Sequence, residues 1–293
     1  MRIAHPGCQS LAASRPVSVG FAYTHQGDTL MAYENILFEQ RGRVGIITLN
    51  RPERLNAWNN EMTADMRDAV EKCNGDSGIG AIVFTGAGRA YCAGLDISAA
   101  SKRIETGEPT RGSATAGDDN WLAFLARMPK PSIAALNGPA VGVGITHVLP
   151  MDIRIASENA RIGFFFIKMG LVPELASSYY LPQLVGLGRA TEMCLTGRMI
   201  EPEEALTAGL VTEVVPMDNL LDRAVELGEL VAGQPAAASA RIKALLRENA
   251  TDSDVRTVML REGNALAACR EEPDHKEAIQ AFMEKRPPTF GQR

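Results

Sequence analysis

Residues 80–97, GAIVFTGAGRAYCAGLDI, place an apolar strand directly before a loop of small residues. The run AIVF has no polar alternation, which predicts a strand covered on both faces. The loop packs four small residues around Tyr91. Ala93 and Gly94 leave the main chain accessible, so its amides can approach a ligand closely. A tight turn in which Asp96 caps the next helix explains the same residues.

The regions on either side alternate between strands and helices. Residues 35–50 (NILFEQRGRVGIITLN) predict a β-hairpin around Arg41-Gly42, and 131–136 (PSIAAL) and 151–157 (MDIRIAS) predict two more buried strands. Residues 59–74 predict a helix, because one face collects the apolar side chains. That face consists of Met62, Met66, Ala69, Val70 and Cys73. The pattern predicts an α/β fold of stacked β-β-α or β-α units.

The two ends of the chain differ from this core. Strand signals stop after Val215, and the remaining segments are helical in pattern, so we expect a core at 31–215 and a helical region at 216–293. Residues 1–30 have no acid before Asp28 and no apolar run of signal-peptide length. We interpret them as a disordered or extraneous tail.

Composition excludes several classes of protein. The 293 residues carry a net charge of −5, which argues against a nucleic-acid partner. Five scattered cysteines without a C-x-x-C pair argue against disulfides and zinc, so we expect no metal and a reducing, cytoplasmic environment. The charge-free stretch 131–151 contains Asn137, Pro139, His147 and three glycines, so no membrane span is predicted.

Residues 135–149, ALNGPAVGVGITHVL, form a second candidate site. A strand ends at Asn137-Gly138, and Gly142 and Gly144 open a predicted helix. The first amides of a helix have no internal partner and can bind an oxyanion or carbonyl. Close packing of the helix in the core explains the glycines equally well.

Residues 172–182, VPELASSYYLP, form a third candidate site. Between Arg161 and Arg189 the only charged side chains are Lys168 and Glu174. A carboxylate in an apolar pocket has a raised pKa and can act as a general base. Capping of the helix that follows is the alternative explanation for Glu174.

Together these segments resemble the crotonase, or enoyl-CoA hydratase/isomerase, superfamily. The resemblance covers Met31 to the C-terminus. It implies a spiral of β-β-α turns with a helical C-terminal region, assembled as a homotrimer or a dimer of trimers. It also implies acyl-CoA thioester substrates and no separate cofactor, coenzyme A being part of the substrate. The segments that carry it are ITLNRPERLNAWN (47–59), GAIVFTGAGRAYCAGLDI (80–97), KPSIAALNGPAVGVG (130–144), DIRIASENARIGF (152–164) and LTGRMIEPEEALTAGLVTEVV (195–215).

The resemblance also implies roles for individual residues. The backbone N–H groups of Ala93 and Val143 match an oxyanion hole for the thioester carbonyl. Tyr91, Trp121 and Phe166 are candidates for the acyl pocket, although ordinary packing explains Tyr91 and Trp121 as well. The positions that match the coenzyme A site are Arg54, Leu55, Ala57, Gly94, Leu95, Asp96, Ile97, Phe282 and Lys285.

The chain departs from the family's hydratases at two positions. Those enzymes carry two glutamates where this sequence has Thr146 and Phe166. Neither side chain can act as an acid or base near neutral pH. Glu174 instead matches the Pro-Glu-x-x-Ser-Ser segment of Δ3,Δ2-enoyl-CoA isomerases, whose glutamate is the base. We therefore expect an enzyme that shifts the double bond of an enoyl-CoA. The alternatives are a hydratase or hydratase-lyase that uses Glu174 to activate water, and a non-catalytic acyl-CoA-binding subunit.

Overall fold

The computed structural model describes residues 33–98, 101 and 120–291, which form two sheets and the helices around them. The larger sheet has the order β1-β2-β3-β4-β6-β9, and the smaller has the order β5-β7-β8. The strands are β1 Ile36–Arg41, β2 Val44–Leu49, β3 Ala81–Gly86, β4 Ser132–Leu136, β5 Pro139–Val141, β6 Ile153–Ser157, β7 Arg161–Gly163, β8 Met199–Ile200 and β9 Glu213–Val215.

Ten α-helices lie within the described residues. They are α1 Asn60–Gly75, α2 Trp121–Arg127, α3 Val143–Thr146, α4 Ser177–Val185, α5 Leu187–Thr196, α6 Pro202–Ala208, α7 Leu220–Ala232, α8 Ala236–Asn249, α9 Val255–Glu271 and α10 Pro273–Glu284. Short 3-10 turns occur at Pro52–Arg54, Ile167–Met169 and Met217–Asn219.

The larger sheet begins with the predicted hairpin and continues in parallel. Strands β1 and β2 pair antiparallel, with Arg41 opposite Val44, and every later pairing in this sheet is parallel. Parallel neighbours need long crossovers, so consecutive strands are joined by helices or by the smaller sheet. The expected α/β spiral with a helical C-terminal region is confirmed, and the predicted apolar face of α1 is fully buried.

Both faces of the larger sheet are covered. One face carries Ile47, Phe84 and Leu136 against α1 and the smaller sheet, in the main core. The opposite face carries Val44, Ile46, Val83, Ile133, Ala135 and Ile155 against Leu220 and Ala224 of α7. Because β2–β4 are apolar on both sides, their sequences read as continuous hydrophobic runs rather than alternating ones.

The C-terminal region has two parts. Helix α7 covers a face of the sheet, so it belongs to the core and not to an appendage that starts after Val215. Helices α8 to α10 are mostly exposed, and Lys243 and Ala281 are their buried residues. The expected tail at 1–30 lies outside the described residues. None of the described helices has the length and hydrophobicity needed to cross a membrane.

Candidate active site

The carboxylate of Glu174 is directed into the protein. Its Oε1 accepts a hydrogen bond of 2.9 Å from the hydroxyl of Thr146, which is fully buried on α3. Glu174 as a whole residue is exposed in the isolated chain, but its Oε1 contacts a hydroxyl that is fully buried. The side chain therefore joins two segments that lie 28 residues apart in the sequence.

The capping explanation for Glu174 is wrong. Helix α4 begins at Ser177, its N-cap residue is Ala176, and no side chain caps it. Leu175 and Ala176 have positive φ angles of 49° and 50°. Residues other than glycine rarely adopt this left-handed conformation, and it persists where surrounding structure enforces it. The strained turn separates Glu174 from the helix and directs it toward Thr146.

The surroundings of Glu174 favour a base of raised basicity. Burial raises the pKa of its carboxyl group above the ordinary value, and the Thr146 hydrogen bond opposes this shift because it stabilises the charged form. Burial is the larger cause. A carboxylate in this state accepts a proton more readily than an exposed one, as proton abstraction from carbon requires.

The structure corrects the expectation for the Ala93 amide. The N–H of Ala93 donates to the carbonyl of Leu55 at 3.0 Å, so it is not free to bind a ligand. Two residues later, Leu95 lies beside Trp58 in an isolated parallel bridge. There the N–H of Trp58 donates to the carbonyl oxygen of Gly94, and the N–H of Asp96 donates to the carbonyl oxygen of Trp58. Main-chain groups alternate in direction along an extended segment, so the Leu95 N–H points away from Trp58.

Two amides without partners lie in adjoining segments. Among the described residues, neither the Leu95 N–H nor the Val143 N–H has a hydrogen-bond acceptor. Val143 is the first residue of α3, where no acceptor is available within the helix. We call residues 92–95 the amide loop. Its Cys92 pairs with Ala140 just before α3, and a Cβ at Gly94 would lie 3.2 Å from the carbonyl oxygen of Val141.

The glycine at position 144 allows this close approach. A side chain there would collide with the carbonyl of Cys92 in the amide loop. Gly142, the N-cap residue of α3, has a positive φ of 53°, which glycine adopts without strain. The interpretation of the glycine-rich stretch as close packing is confirmed, and this packing brings the two amide-bearing segments together. The binding of an oxyanion by these amides stays a prediction.

The expected coenzyme A positions are divided between a strip of two paired segments, residues 54–57 and 94–97, and Phe282 and Lys285 at the C-terminal end of α10. Asp96 is held by Arg51 at 2.9 Å and by Arg54 at 3.3 Å, and it also accepts the Ser98 N–H. These bonds hold the pKa of the Asp96 carboxyl well below its usual range, with the Ser98 side-chain bond first and the Arg51 bond next. Arg51 was not predicted from the sequence, where its only signal is its place two residues after the end of β2.

The side chains of this strip differ in exposure. Leu95 and Ile97 are exposed, Ala57 is half-buried, and Gly94 is buried. Leu55 adopts a positive φ of 52°, which turns its carbonyl toward Ala93. The strip thus exposes apolar side chains, and its main chain is hydrogen-bonded to the amide loop.

An aromatic cluster lies beneath the amide loop. Tyr91, Trp121 and Phe166 are all buried, and the Tyr91 hydroxyl lies 3.0 Å from Nε2 of His147. Trp58 bridges the cluster, with its ring centroid 4.7 Å from His147 and 6.3 Å from Trp121. Burial lowers the pKa of His147 to about 3, so the imidazole is neutral.

Comparison with known proteins identifies the chain. The family model for enoyl-CoA hydratase/isomerase matches residues 39–293. A Mycobacterium tuberculosis protein named probable enoyl-CoA hydratase echA8 is 36% identical over 90% of this chain and 100% of its own. The 1,2-epoxyphenylacetyl-CoA isomerase of Escherichia coli is 35% identical over 88% of this chain and 98% of its own.

A solved structure shows the same fold. The enoyl-CoA hydratase/isomerase of Cupriavidus metallidurans CH34 superimposes with a TM-score of 0.81 at 31% identity, over 90% of this chain and 99% of that one. The chain belongs to the enoyl-CoA hydratase/isomerase family.

Within this enoyl-CoA hydratase/isomerase, one of the two positions expected to depart from the hydratase pattern, Thr146, contacts Glu174, and the other, Phe166, is buried in the core. Thr146 is the hydrogen-bond donor to Glu174, and Phe166 is an apolar residue just before the turn that leads to Glu174. Among the described residues, no group of three or more histidine, cysteine or acidic side chains could hold a metal ion.

Proposed function

We propose that this enzyme shifts the double bond of an enoyl-CoA with Glu174 as its single acid–base group. The observation that carries the proposal is the hydrogen bond from buried Thr146 to Glu174, which places a carboxylate of raised pKa at the helix that bears the Val143 amide. A double-bond shift needs one group that removes a proton and returns it, and one carboxylate suffices for both steps.

Glu174 alone can carry out both proton transfers of the reaction. Glu174 removes a proton from C2 of a 3-enoyl-CoA, and the electrons of the broken C–H bond form an enolate at the thioester carbonyl. The carboxylic acid then returns the proton to C4, and the double bond moves from C3–C4 to C2–C3. Because the same proton is available for return, no second acid is needed.

The amides of Leu95 and Val143 would stabilise the enolate. Both N–H groups are unpaired within the described part of the chain, and close packing brings their segments together. We assign Leu95 in place of Ala93, whose amide is already used by Leu55. Donors fixed in advance lower the barrier most where negative charge develops, and one such donor contributes roughly 3 to 4 kcal/mol.

The apolar surroundings favour proton return over water addition. Phe164 and Phe166 are buried next to the turn that leads to Glu174, and Phe166 replaces a side chain that could activate water. Exclusion of water keeps the abstracted proton on the carboxyl group. Tyr91 and Trp121 would form the rest of the acyl pocket.

A hydratase or hydratase-lyase remains the second candidate because the relative echA8 carries a hydratase name at 36% identity. In that case Glu174 would activate a water molecule that adds to a 2-enoyl-CoA. A non-catalytic acyl-CoA-binding subunit is the third.

The coenzyme A end of the site would be completed by another copy of the chain. Phe282 is 82% exposed on α10, and Lys285 follows that helix in a left-handed conformation. Helices α8 to α10 also expose Ile242, Leu246, Met259, Leu260 and Ile279. Exposed apolar surface of this extent is typical of an interface between subunits. We propose a trimer-based assembly, in which these helices pack together and bring Phe282 to a neighbouring site.

The test offers purified protein a 3-enoyl-CoA and a 2-enoyl-CoA, with Glu174→Gln as the control variant. Double-bond migration without 3-hydroxyacyl-CoA, lost in the variant, is the expected result. Formation of 3-hydroxyacyl-CoA that depends on Glu174 would replace the proposal with the hydratase. Binding of both thioesters without turnover of either would leave the binding subunit.

A further inference from the structure

Three buried polar side chains below the amide loop carry more hydrogen-bond donors than the protein satisfies. Tyr91 and His147 are completely buried and Trp121 is 5% exposed. Tyr91 and His147 bond to each other, but Nδ1 of His147 and Nε1 of Trp121 have no partner. Buried polar groups are nearly always paired, so such atoms indicate a missing partner.

The missing partner is an acceptor. The Tyr91 hydroxyl, the neutral imidazole of His147 and the indole of Trp121 supply one donor hydrogen each. If Tyr91 donates to Nε2, the hydrogen on Nδ1 of His147 is left over. If Nε2 donates to Tyr91, the phenolic hydrogen is left over. In either tautomer two donors, one of them the Trp121 indole, lack an acceptor.

These donors adjoin the proposed reaction site on both sides. Tyr91 directly precedes the amide loop, and His147 directly follows Thr146, the donor to Glu174. The Trp58 ring contacts both His147 and Trp121, and its main chain is bonded to Gly94. A group that reaches these donors would extend from the thioester into the acyl pocket.

We propose that the acyl pocket takes a chain that carries an oxygen acceptor, such as an ether, carbonyl or hydroxyl group, which the Trp121 indole and the Tyr91–His147 pair bind. This rests on the proposed function, because it names the acyl groups that the same site would accept. An oxygen there pairs donors that a plain hydrocarbon chain would leave buried and unsatisfied, and unpaired buried donors are costly.

The experiment measures binding rather than turnover. Full-length protein is titrated calorimetrically with octanoyl-CoA and with analogues in which one ether oxygen replaces a methylene at successive chain positions. An ether is a neutral acceptor close in shape to methylene. We expect at least one analogue to bind about tenfold more tightly than octanoyl-CoA, the scale of one buried hydrogen bond gained.

The chain offers a matched pair of variants. Trp121→Phe removes an unpaired indole N–H. We expect the ratio of the affinity for the ether analogue to that for octanoyl-CoA, which we call the preference, to fall close to one in this variant. Trp58→Phe removes an indole N–H that already donates to Thr63 at 2.9 Å, and it should leave the preference intact. Equal loss of preference in both variants would contradict the role of Trp121. If Trp121→Phe fails to fold, the wild-type series still decides.

The outcomes separate this inference from the proposed function. If every ether analogue binds no more tightly than octanoyl-CoA, buried water satisfies the donors and the inference is wrong, while acyl-CoA binding stands. If neither octanoyl-CoA nor any analogue binds, the proposed function falls together with the inference.

Discussion

The Thr146 hydroxyl donates to Glu174 Oε1 at 2.9 Å, so the side chain that replaces one acidic residue of the hydratase pattern supports the carboxylate that remains. This bond stabilises the charged form of Glu174 against a burial that favours the neutral form. The balance between the two sets the pH at which the Glu174 carboxyl group ionises.

Loss of the Thr146 hydroxyl should shift the pH profile. In Thr146→Val the charged form of Glu174 loses its donor, so its pKa rises further, and the acid limb of kcat/KM for 3-enoyl-CoA moves to higher pH. Thr146→Ser keeps a hydroxyl and should keep the wild-type profile. An unchanged acid limb in Thr146→Val would mean that this bond does not act on the base.

Ester substitution of the backbone can show which amide of the 92–95 loop, that of Leu95 or that of Ala93, acts as the oxyanion donor. Replacing the N–H of Leu95 by an ester oxygen should lower kcat by roughly 100-fold or more, with little change in the melting temperature. The same change at Ala93 removes its bond to Leu55 and should lower the melting temperature by a few degrees instead, because it costs about 1 kcal/mol of stability.

Reversed effects at these two positions would restore Ala93 as the oxyanion donor. Leu95→Ala is a further control, since it changes the side chain and keeps the amide. Its kcat should remain close to that of the wild type.

Acid should weaken the fold through His147. Burial lowers its pKa in the folded protein to about 3, and the unfolded value is near 6.5. Between these values the unfolded chain binds the additional proton, so stability is highest above pH 6.5 and falls as the pH decreases toward 3.

The contribution of this residue is at most about 1.4 kcal/mol per pH unit below 6.5. The check is the free energy of unfolding in urea at pH 7.5 and pH 5 for the wild type and for His147→Gln. The variant should lose less stability between the two pH values. An equal loss in both proteins would show that His147 is not the group responsible.

A buried cation offers a test of the fold that is separate from the site. Arg154 donates to the carbonyls of Leu149, Met151 and Leu210, and burial lowers the pKa of its guanidinium to about 10. Arg154→Leu leaves these acceptors unpaired and should lower the free energy of unfolding by about 3 kcal/mol or more. Arg189→Leu, at an exposed residue, should change stability little.

Local patterns explain how much of the fold was predictable. The hairpin at Arg41-Gly42 and the α1 face from Met62 to Cys73 depend on neighbours in sequence, and both were predicted. The place of α7 was missed, because nothing within Leu220–Ala232 specifies the sheet on which its apolar face lies.

The sequence indicated which segments form the candidate site, but not which of their atoms are free or paired. Which amide of the 92–95 loop stays free depends on the bridge between Leu95 and Trp58, and this pairing joins distant parts of the chain. The partner of Glu174 likewise comes from another segment, and a threonine gives no signal of that role in sequence. Long-range pairings of this kind arrange the candidate site, and a single sequence does not encode them in a local pattern.

The central claim is that Glu174 carries one proton from C2 to C4. It is tested most directly with a 3-enoyl-CoA deuterated at C2 and incubated with the enzyme in ordinary water. The account predicts a 2-enoyl-CoA product with deuterium at C4, and a rate at least about 100-fold lower in Glu174→Gln. Double-bond migration that is unimpaired in Glu174→Gln, or a product without any deuterium at C4, would contradict it.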